Sequence, residues 1–245
     1  MARLPAIWTS TCCMNSRATE LRIAGAAFAL LVILFVAWPQ LDIAASSLFF
    51  GADGQWFLYR GEPAALQWLY LGVPPAGQSL LALLALGLLL GCLPRFAWLR
   101  SRRAILGFTL AAALVGPVLV VDAGLKNYWG RARPLTVEAF GGPRHFTPAF
   151  VISDQCPKNC SFVSGHVATA SFVMAFGWLA APAIRRRWLL ASLGTGALLA
   201  VVRMSAGGHF LSDTIFAWFA TYFSLWLTEW AFRRLGWLPG HSSQD

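Results

Sequence analysis

The segment Cys160–Ala168, which reads CSFVSGHVA, is the point where a polar stretch of the chain gives way to a long apolar run. Its triplet Ser-Gly-His directly precedes the run Val167–Pro182, which predicts a membrane helix. Unpaired backbone N–H groups and the positive end of the helix dipole gather at a helix start, and this combination binds phosphate. Gly165 lets a ligand approach the backbone, and His166 adds a titratable group. On its own the triplet is a weak signal, because it is more often only a helix cap.

The composition of the chain is that of an integral membrane protein. Hydrophobic residues make up 58% of its 245 residues and charged residues only 12%, against about 25% charged in soluble domains. No polar segment is large enough for a second core, so one domain over residues 1–245 is predicted. The net charge of +9 does not predict nucleic-acid binding, because the basic residues lie in short segments between apolar runs. The first apolar run is long enough to span a membrane, so no cleaved signal peptide is predicted.

Six apolar runs predict an all-α fold, a bundle of six transmembrane helices. Most of them approach the roughly 20 residues that a bilayer crossing needs. The runs are Ile23–Trp38, Leu69–Leu93, Ala104–Leu125, His166–Ile184, Trp188–Met204 and Phe210–Phe232. The pair Pro74-Pro75 is predicted to mark the start of the second helix, and Pro117 to kink the third.

The basic residues between the runs predict the orientation of the bundle. With the N-terminus in the cytoplasm, 12 of the 19 Lys and Arg residues fall on the inner side. The positive-inside rule therefore predicts that both termini are cytoplasmic. The loops that follow the third and fifth runs then lie on the outer face.

Two outer segments are rich in aromatic residues. Asp42–Pro63 carries Trp56 and Tyr59, and Leu135–Phe162 carries Phe140 among other rings. The simpler interpretation is a belt of aromatic side chains at the membrane interface. The alternative is a lip that guides a lipid substrate, since loops of this length are usually functional or disordered.

Two of the five cysteines lie in the second of these outer loops. An oxidising periplasm would permit a disulfide between Cys156 and Cys160, which would close a short loop next to Ser164. Zinc is the alternative, and it is disfavoured because no second cysteine pair lies nearby. Cys12 and Cys13 are predicted to be cytoplasmic and reduced.

Two further stretches turn the Ser-Gly-His triplet into a strong signal. Upstream, Lys126–Pro134 reads KNYWGRARP, and downstream, Arg203–Asp213 reads RMSAGGHFLSD. With the triplet they resemble the signature of the type 2 phosphatidic acid phosphatase superfamily, which reads K-x6-R-P, P-S-G-H and S-R-x5-H-x3-D. The chain departs from it at Val163, where the family has Pro, and at Val202, where the family has Ser. The missing Ser hydroxyl removes one expected hydrogen bond to phosphate.

The phosphate-binding groups are predicted from the chemistry that a phosphoryl transfer needs. A guanidinium donates two parallel hydrogen bonds that match a phosphate, so Arg133 and Arg203, with Lys126, would neutralise the non-bridging oxygens. The Ser164 hydroxyl and the Gly165 N–H would add donors. No metal and no cofactor is predicted, because these cations replace them. Asp122, one turn before Lys126, is a candidate partner for it, whereas the motifs do not require Arg131 or His145.

The roles of the histidines follow from the resemblance and not from their spacing. It implies that His209 attacks phosphorus to give a phosphohistidine, and that His166 protonates the leaving oxygen and then activates water. Asp213 lies four residues after His209, so on a helix it would face the imidazole and hold its tautomer. Taken one by one, Lys126 and Arg133 could be interfacial anchors, His209 a loop histidine and Asp213 a helix cap.

Two classes of function remain at this point. The first is a lipid phosphatase of the bacterial inner membrane, acting at the periplasmic face on lipid A phosphates, undecaprenyl pyrophosphate, phosphatidylglycerol phosphate or phosphatidic acid. The second is a phosphate-binding transport or structural protein without turnover. A phosphatase of soluble phosphoesters would share the motifs, but six spans and aromatic loops favour a membrane lipid as partner. The loop before Ser164 looks similar to that of bacterial members that act on lipid A.

Overall fold

The computed structural model describes residues 7–60 and 64–238, with side chains from residue 17 onwards, so Cys12 and Cys13 fall outside the described side chains. Within these ranges the regular secondary structure is helical, apart from two isolated β-bridges. The α-helices are α1 (Ile7–Ala37), α2 (Gln40–Ser47), α3 (Ala64–Leu90), α4 (Ala97–Ser101), α5 (Arg103–Ala113), α6 (Lys126–Tyr128), α7 (Gly165–Ser171), α8 (Pro182–Ser205) and α9 (Leu211–Arg234). A π-helix, Leu114–Leu125, joins α5 to α6 without a break.

Four helical segments of the described chain are long and apolar enough to cross a bilayer. They are Arg17–Ala37, Ala64–Leu90, Arg103–Tyr128 and Pro182–Ser205. They correspond to the first, second, third and fifth predicted runs, so an all-helical fold with apolar spans is confirmed.

The other two predicted spans differ from the expectation in length or polarity. The fourth run forms the seven-residue α7 and a 3₁₀ continuation to Gly177, and not a helix that reaches Ile184. The sixth run forms the 24-residue α9, which carries buried polar groups from Asp213 to Glu229. Helix α9 is therefore shaped by contacts inside the bundle more than by contact with lipid.

Pro74, Pro75 and Pro117 all lie inside helical segments. Pro74 and Pro75 are inside α3, so the prediction that they mark its start is wrong. Pro117 lies within the π-helix, where the wider bonding pattern accommodates a residue that cannot donate a backbone hydrogen bond. Neighbouring helices and local changes of hydrogen bonding commonly make proline tolerable inside membrane helices.

Helix α7 lies at the centre of the fold and packs against α3, α8, α9 and the π-helix. Its Val167 and Ala168 are buried in a core that includes Val202 of α8 and Phe216 of α9. Small side chains allow this close packing. A Cβ atom added at Gly196 of α8 would lie 2.7 Å from Ser171 Oγ of α7. The helix that begins at the Ser-Gly-His triplet is thus held by the core on most sides.

The aromatic loops pack on each other. Trp56 and Phe140 are buried with ring centroids 5.0 Å apart, and Phe50 lies 5.2 Å from both. A Cβ atom at Gly207, whose φ is +61°, would collide with the Trp56 ring. This cluster covers the turn between α8 and α9. Its rings pack on other protein side chains, so the prediction of a belt at the membrane interface is wrong for them. Tyr59 remains exposed.

Candidate active site

Backbone hydrogen bonds join the three motif segments directly. Cys160 N donates to Lys126 O over 2.7 Å, which ties the segment before α7 to the first motif. Leu135 N donates to Gly207 O over 2.9 Å, and Ser164 N donates to Asp213 O over 3.1 Å. The structure therefore brings together motifs that the sequence separates.

Ser164 and Gly165 have local roles that sequence alone left open. Ser164 is the N-cap of α7, and its Oγ accepts a hydrogen bond from Val167 N over 3.5 Å. Gly165 is buried, and a Cβ atom there would lie 2.6 Å from Asp122 Oδ1 and 3.1 Å from Lys126 Nζ. Glycine thus lets the Asp122–Lys126 pair lie close over the start of α7, and a larger residue would displace these two side-chain ends.

His209 lies in the turn before α9 and is 1% exposed. Its Nδ1 is 2.7 Å from the backbone oxygen of Ser161. A carbonyl can only accept, so Nδ1 carries the proton and Nε2 keeps a free lone pair. Burial, followed by the charges of Arg203, Arg133 and Lys126, holds the pKa of His209 well below its ordinary value. The ring is therefore neutral and nucleophilic at Nε2.

Asp213 does not hold His209 in the way that the i, i+4 spacing predicts. His209 precedes the first residue of α9, and its Nδ1 is 3.9 Å from Asp213 Oδ2. The same carboxylate oxygen accepts hydrogen bonds from Ser161 Oγ at 2.5 Å and from Phe210 N at 2.8 Å. The direct contact to the ring is thus made by the Ser161 carbonyl, and Asp213 acts on it through Ser161.

Arg203 is nearly fully buried, yet two of its donors have no partner among the described residues. These donors are Nε and Nη1. The guanidinium lies over the Tyr70 ring, with Cζ 4.5 Å from the ring centroid. Gly208 makes room for it, since a Cβ atom there would lie 2.6 Å from Nη2. Buried unpaired donors are costly, so this arrangement suits an anion that would accept from them.

Arg133 and Lys126 complete a cationic group. Arg133 Nη2 donates to Asn159 O over 2.7 Å, and burial together with the nearby charge of Arg203 lowers the pKa of Arg133. Lys126 Nζ donates to Asp122 Oδ1 over 3.0 Å, which agrees with the predicted pairing. No carboxylate of the described chain pairs with Arg133 or Arg203. Two guanidinium groups that repel each other would be stabilised by a phosphate dianion.

His166 lies at the first turn of α7, beside α3. Its Nε2 is 3.0 Å from Tyr70 O, so Nε2 carries a proton and donates it to this carbonyl. The Tyr70 ring lies between His166 and Arg203, with its centroid 5.4 Å from the His166 ring. The side chain of His166 lines a cleft of about 230 Å³ between α3 and the π-helix, together with Lys126.

A larger groove, of about 1620 Å³, lies elsewhere on the bundle. It runs between α1, α8 and α9, and its walls are mainly apolar side chains such as Leu31, Leu193 and Ile215. Neither histidine of the motifs lines it. His166 and Lys126 line the smaller cleft instead, whereas His209, Arg133 and Arg203 line neither of the two.

Sequence reasoning missed several residues of the site. Arg131 is completely buried and bonds to Asp213 and Asp42, and Ser161 and Tyr70 bond to the two histidines. Arg131 lies inside the first motif segment, but that motif specifies only the Lys and Arg-Pro at its ends. Backbone carbonyls that act as acceptors leave no signal in a sequence.

The two departures from the family signature both pack into the core. Val163 and Val202 are buried in the cluster that also holds Val167 of α7. Position 202 therefore contributes apolar packing in this chain, where the signature has a hydroxyl.

Cys156 and Cys160 are joined by a disulfide, with their Cα atoms 5.6 Å apart. The bridge closes the turn that contains Asn159, whose φ is +54° and whose carbonyl accepts from Arg133. The bridge thus limits the freedom of a loop that holds part of the cationic group.

Comparison with known proteins places this site in a family. A sequence model of the PAP2 superfamily matches residues 102–237. A lipid A 4'-phosphatase of Francisella tularensis subsp. novicida is 38% identical over 209 residues, which cover 80% of this chain and 91% of the relative. A lipid A 4'-phosphatase of Rhizobium leguminosarum is 34% identical, covering 78% of this chain and 87% of its own. One of Rhizobium etli is 31% identical, with coverage of 78% and 79%. No solved structure matches the chain.

The helical fold and the grouped cations and histidines define a membrane phosphatase. The chain belongs to the PAP2 superfamily, as the resemblance of its three motifs predicted, and it is a phosphoric monoester hydrolase of bacterial type.

Proposed function

We propose that this phosphatase removes a phosphate group from lipid A, and specifically the 4'-phosphate, through a phosphohistidine on His209. The observation that carries the reaction is a neutral imidazole, open at Nε2, beside two guanidinium groups that have no carboxylate partner within residues 7–60 and 64–238. The substrate is suggested by the three relatives, each of which covers more than three quarters of this chain.

In the first step the His209 Nε2 lone pair attacks phosphorus, and the bond from phosphorus to the lipid oxygen breaks. Arg133, Arg203 and Lys126 neutralise the non-bridging oxygens as their charge grows. The Ser161 carbonyl keeps the proton on Nδ1, so the ring becomes a cation as the N–P bond forms. Asp213 Oδ2, at 3.9 Å, stabilises that cation.

His166 handles the proton in both steps. Its Nε2 donates to the Tyr70 carbonyl, so the ring must carry a second proton, on Nδ1, in order to protonate the leaving oxygen. The ring then accepts a proton from water as the water attacks the phosphohistidine. Inorganic phosphate leaves, and His209 returns to its neutral form.

The shape of the small cleft supports a lipid substrate over a soluble one. Lys126 and His166 lie at one end of it, and apolar side chains such as Leu80, Leu81 and Phe172 line the rest. A phosphate held between His209 and the group of cations that includes Lys126 would leave room beside α3 for an apolar part of the same molecule. A soluble phosphoester would gain nothing from these walls.

The proposed membrane arrangement has six spans, with α7 and α9 as the fourth and sixth. Both termini would be in the cytoplasm of an inner membrane and the site in the periplasm. The distribution of basic residues between the apolar runs supports this orientation, and a disulfide next to the site suits an oxidising compartment.

The test uses the purified protein with lipid A that carries both the 1- and the 4'-phosphate. Mass spectrometry should show loss of one phosphate, and fragmentation should place the loss at the 4' position. A chelator should not reduce turnover, because the arginine and lysine side chains supply the charge that a metal would. Turnover of undecaprenyl pyrophosphate, phosphatidylglycerol phosphate or phosphatidic acid in place of lipid A would refute the substrate. Phosphate binding without turnover of any of them would refute the reaction and indicate a transport or structural role.

A further inference from the structure

A buried ion cluster lies next to His209, and it contains two residues, Asp42 and Arg131, that no motif specifies. Arg131 Nη1 donates to Asp213 Oδ1 over 2.5 Å, and its Nη2 donates to Asp42 Oδ2 over 2.7 Å. Arg131 and Asp213 are 0% exposed, and Asp42 is 1% exposed. One guanidinium therefore bridges two carboxylates in a site without access to water.

Each nitrogen of the Arg131 guanidinium has a hydrogen-bond partner, and two phenyl rings lie close to its carbon atom. Nε donates to the backbone oxygen of Thr147 at 2.8 Å, and Nη1 also reaches Ser212 Oγ at 2.9 Å. The rings of Phe210 and Phe146 have their centroids 4.4 and 5.5 Å from the guanidinium carbon. This geometry fixes the side chain, so Arg131 cannot turn to meet a phosphate as Arg133 and Arg203 can.

Asp42 binds both Arg131 and the start of α9. It belongs to α2, the short helix after the first span, and lies outside the matched residues 102–237. Its Oδ1 accepts from Ser212 N at 2.8 Å, and its Oδ2 accepts from Ser212 Oγ at 2.6 Å. The carboxylate therefore binds the first turn of α9, immediately after His209.

We propose that Asp42 and Arg131 are positioning residues that hold His209 in line for attack and stabilise the positive charge of the phosphohistidine. Two carboxylates and one guanidinium leave the cluster with one net negative charge. The Asp213 carboxylate brings this negative charge to within 3.9 Å of the His209 ring. It also accepts a hydrogen bond from Ser161 Oγ, which fixes the Ser161 carbonyl that orients the ring. The short helix after the first span is thereby part of the catalytic apparatus. This proposal rests on the phosphohistidine chemistry proposed above.

The variant Asp42→Asn keeps the shape and an acceptor oxygen for Ser212 while it removes the negative charge. Two inhibitors separate positioning from general damage. Inorganic phosphate needs only the cationic group, whereas vanadate also forms a bond to His209 Nε2 and so reports the alignment of the ring. Phosphoenzyme formation from nitrophenyl phosphate in a single turnover reports the reaction itself.

For Asp42→Asn we expect phosphate inhibition to stay within about twofold of wild type. Vanadate inhibition and phosphoenzyme formation should weaken by about 10–100-fold, the scale of effect that outer partners of a reactive group have at metal sites. Arg131→Gln should show the same selective loss. The matched control is Asp53→Asn, an exposed carboxylate in the next loop that pairs with Arg60 at 2.5 Å, and it should change neither inhibitor.

Parallel weakening of phosphate and vanadate in Asp42→Asn, with a lower melting temperature, would show a merely structural role and overturn the proposal. Unchanged vanadate inhibition and phosphoenzyme formation would overturn it too. If Asp42→Asn does not fold, Ser212→Ala decides, because it removes one contact to Asp42 and one to Arg131 and should give a smaller but equally selective loss. A wild-type enzyme that never forms a phosphoenzyme would instead refute the chemistry on which the proposal rests.

Discussion

The two ends of the bundle each carry a group of charged side chains. The two groups differ in whether their cations are paired with carboxylates. At the end opposite the active site, Arg17 forms a two-pronged pair with Glu229 at 2.7 Å, and Arg185 forms one with Glu20 at 2.6 and 2.9 Å. Arg233 also pairs with Glu229. At the active-site end, Arg133 and Arg203 have no carboxylate partner among the described residues, and Arg203 keeps two donors unused.

The ends are far apart along the same helices. Asp213 and Glu229 lie 16 residues apart on α9, which corresponds to about 24 Å at 1.5 Å per residue. The paired end also includes Trp178, whose indole N–H donates to Glu229 and whose backbone oxygen accepts from Arg185. Paired charges of this kind hold α1, α8 and α9 together, whereas cations without a carboxylate partner remain able to bind an anion. The difference distinguishes a structural cluster from a binding site more clearly than burial does, because each group contains both buried and partly exposed side chains.

The strongest test of the active-site end removes its histidines. His209→Ala should lower turnover by about 10⁴-fold or more and abolish the phosphoenzyme, because no other motif side chain is placed to attack. His166→Ala should lose about 10²–10⁴-fold with lipid substrates, whose leaving oxygen needs a proton. With nitrophenyl phosphate, formation of the phosphoenzyme should recover in His166→Ala but not in His209→Ala. Phosphoenzyme should therefore accumulate in His166→Ala. Radiolabel trapped in His209→Ala but absent from His166→Ala would reverse these roles.

Removing an unpaired cation should cost activity without costing stability. Arg203→Gln should lower kcat/KM by about 10²–10³-fold, because it removes a donor to the developing phosphate charge. Its melting temperature in detergent should change little, since Arg133 loses a repelling neighbour. Inorganic phosphate should raise the melting temperature of the wild type but not of the variant. A strongly destabilised Arg203→Gln would show that this cation is structural.

Breaking a paired cation should have the opposite effect. Glu229→Gln leaves Arg17 without its carboxylate and should destabilise the bundle by about 3–5 kcal/mol, as the loss of one partner of a buried pair does. The melting temperature should fall, while turnover per folded molecule should stay near that of the wild type. If phosphoenzyme formation falls as strongly as stability does, the two ends are coupled and the contrast between them fails.

The smallest effect is expected from the disulfide. Cys156→Ser opens a loop of only a few residues, for which the entropic gain of a crosslink is low. Stability should hardly change, but the Asn159 carbonyl would be less firmly held against Arg133. A few-fold rise in KM with unchanged kcat is expected, and steady-state kinetics of Cys156→Ser and Cys160→Ser would measure it. Full activity of both variants would show that the loop holds its shape without the bridge.

The sequence by itself determined the class of the protein and most of the groups proposed to meet phosphate. Apolar runs predict membrane helices because the bilayer requires about 20 apolar residues of any helix that crosses it. The motif spacing named His209, Arg203 and Lys126, and the structure brings them to one place. Two predictions from local sequence were wrong. Pro74 and Pro75 lie inside α3 and do not mark its start, and α7 continues as a 3₁₀ helix only to Gly177.

Only the tertiary structure decided how the His209 ring is held. The i, i+4 spacing assigns the imidazole to Asp213, but its hydrogen bond goes to the Ser161 carbonyl, 48 residues away in the chain. Arg131 meets Asp213 across 82 residues and Asp42 across 89. Contacts of this range depend on how helices pack and on backbone groups that every residue carries. The sequence names the reactive groups, and the packed bundle determines which of them are paired and which remain open to a ligand.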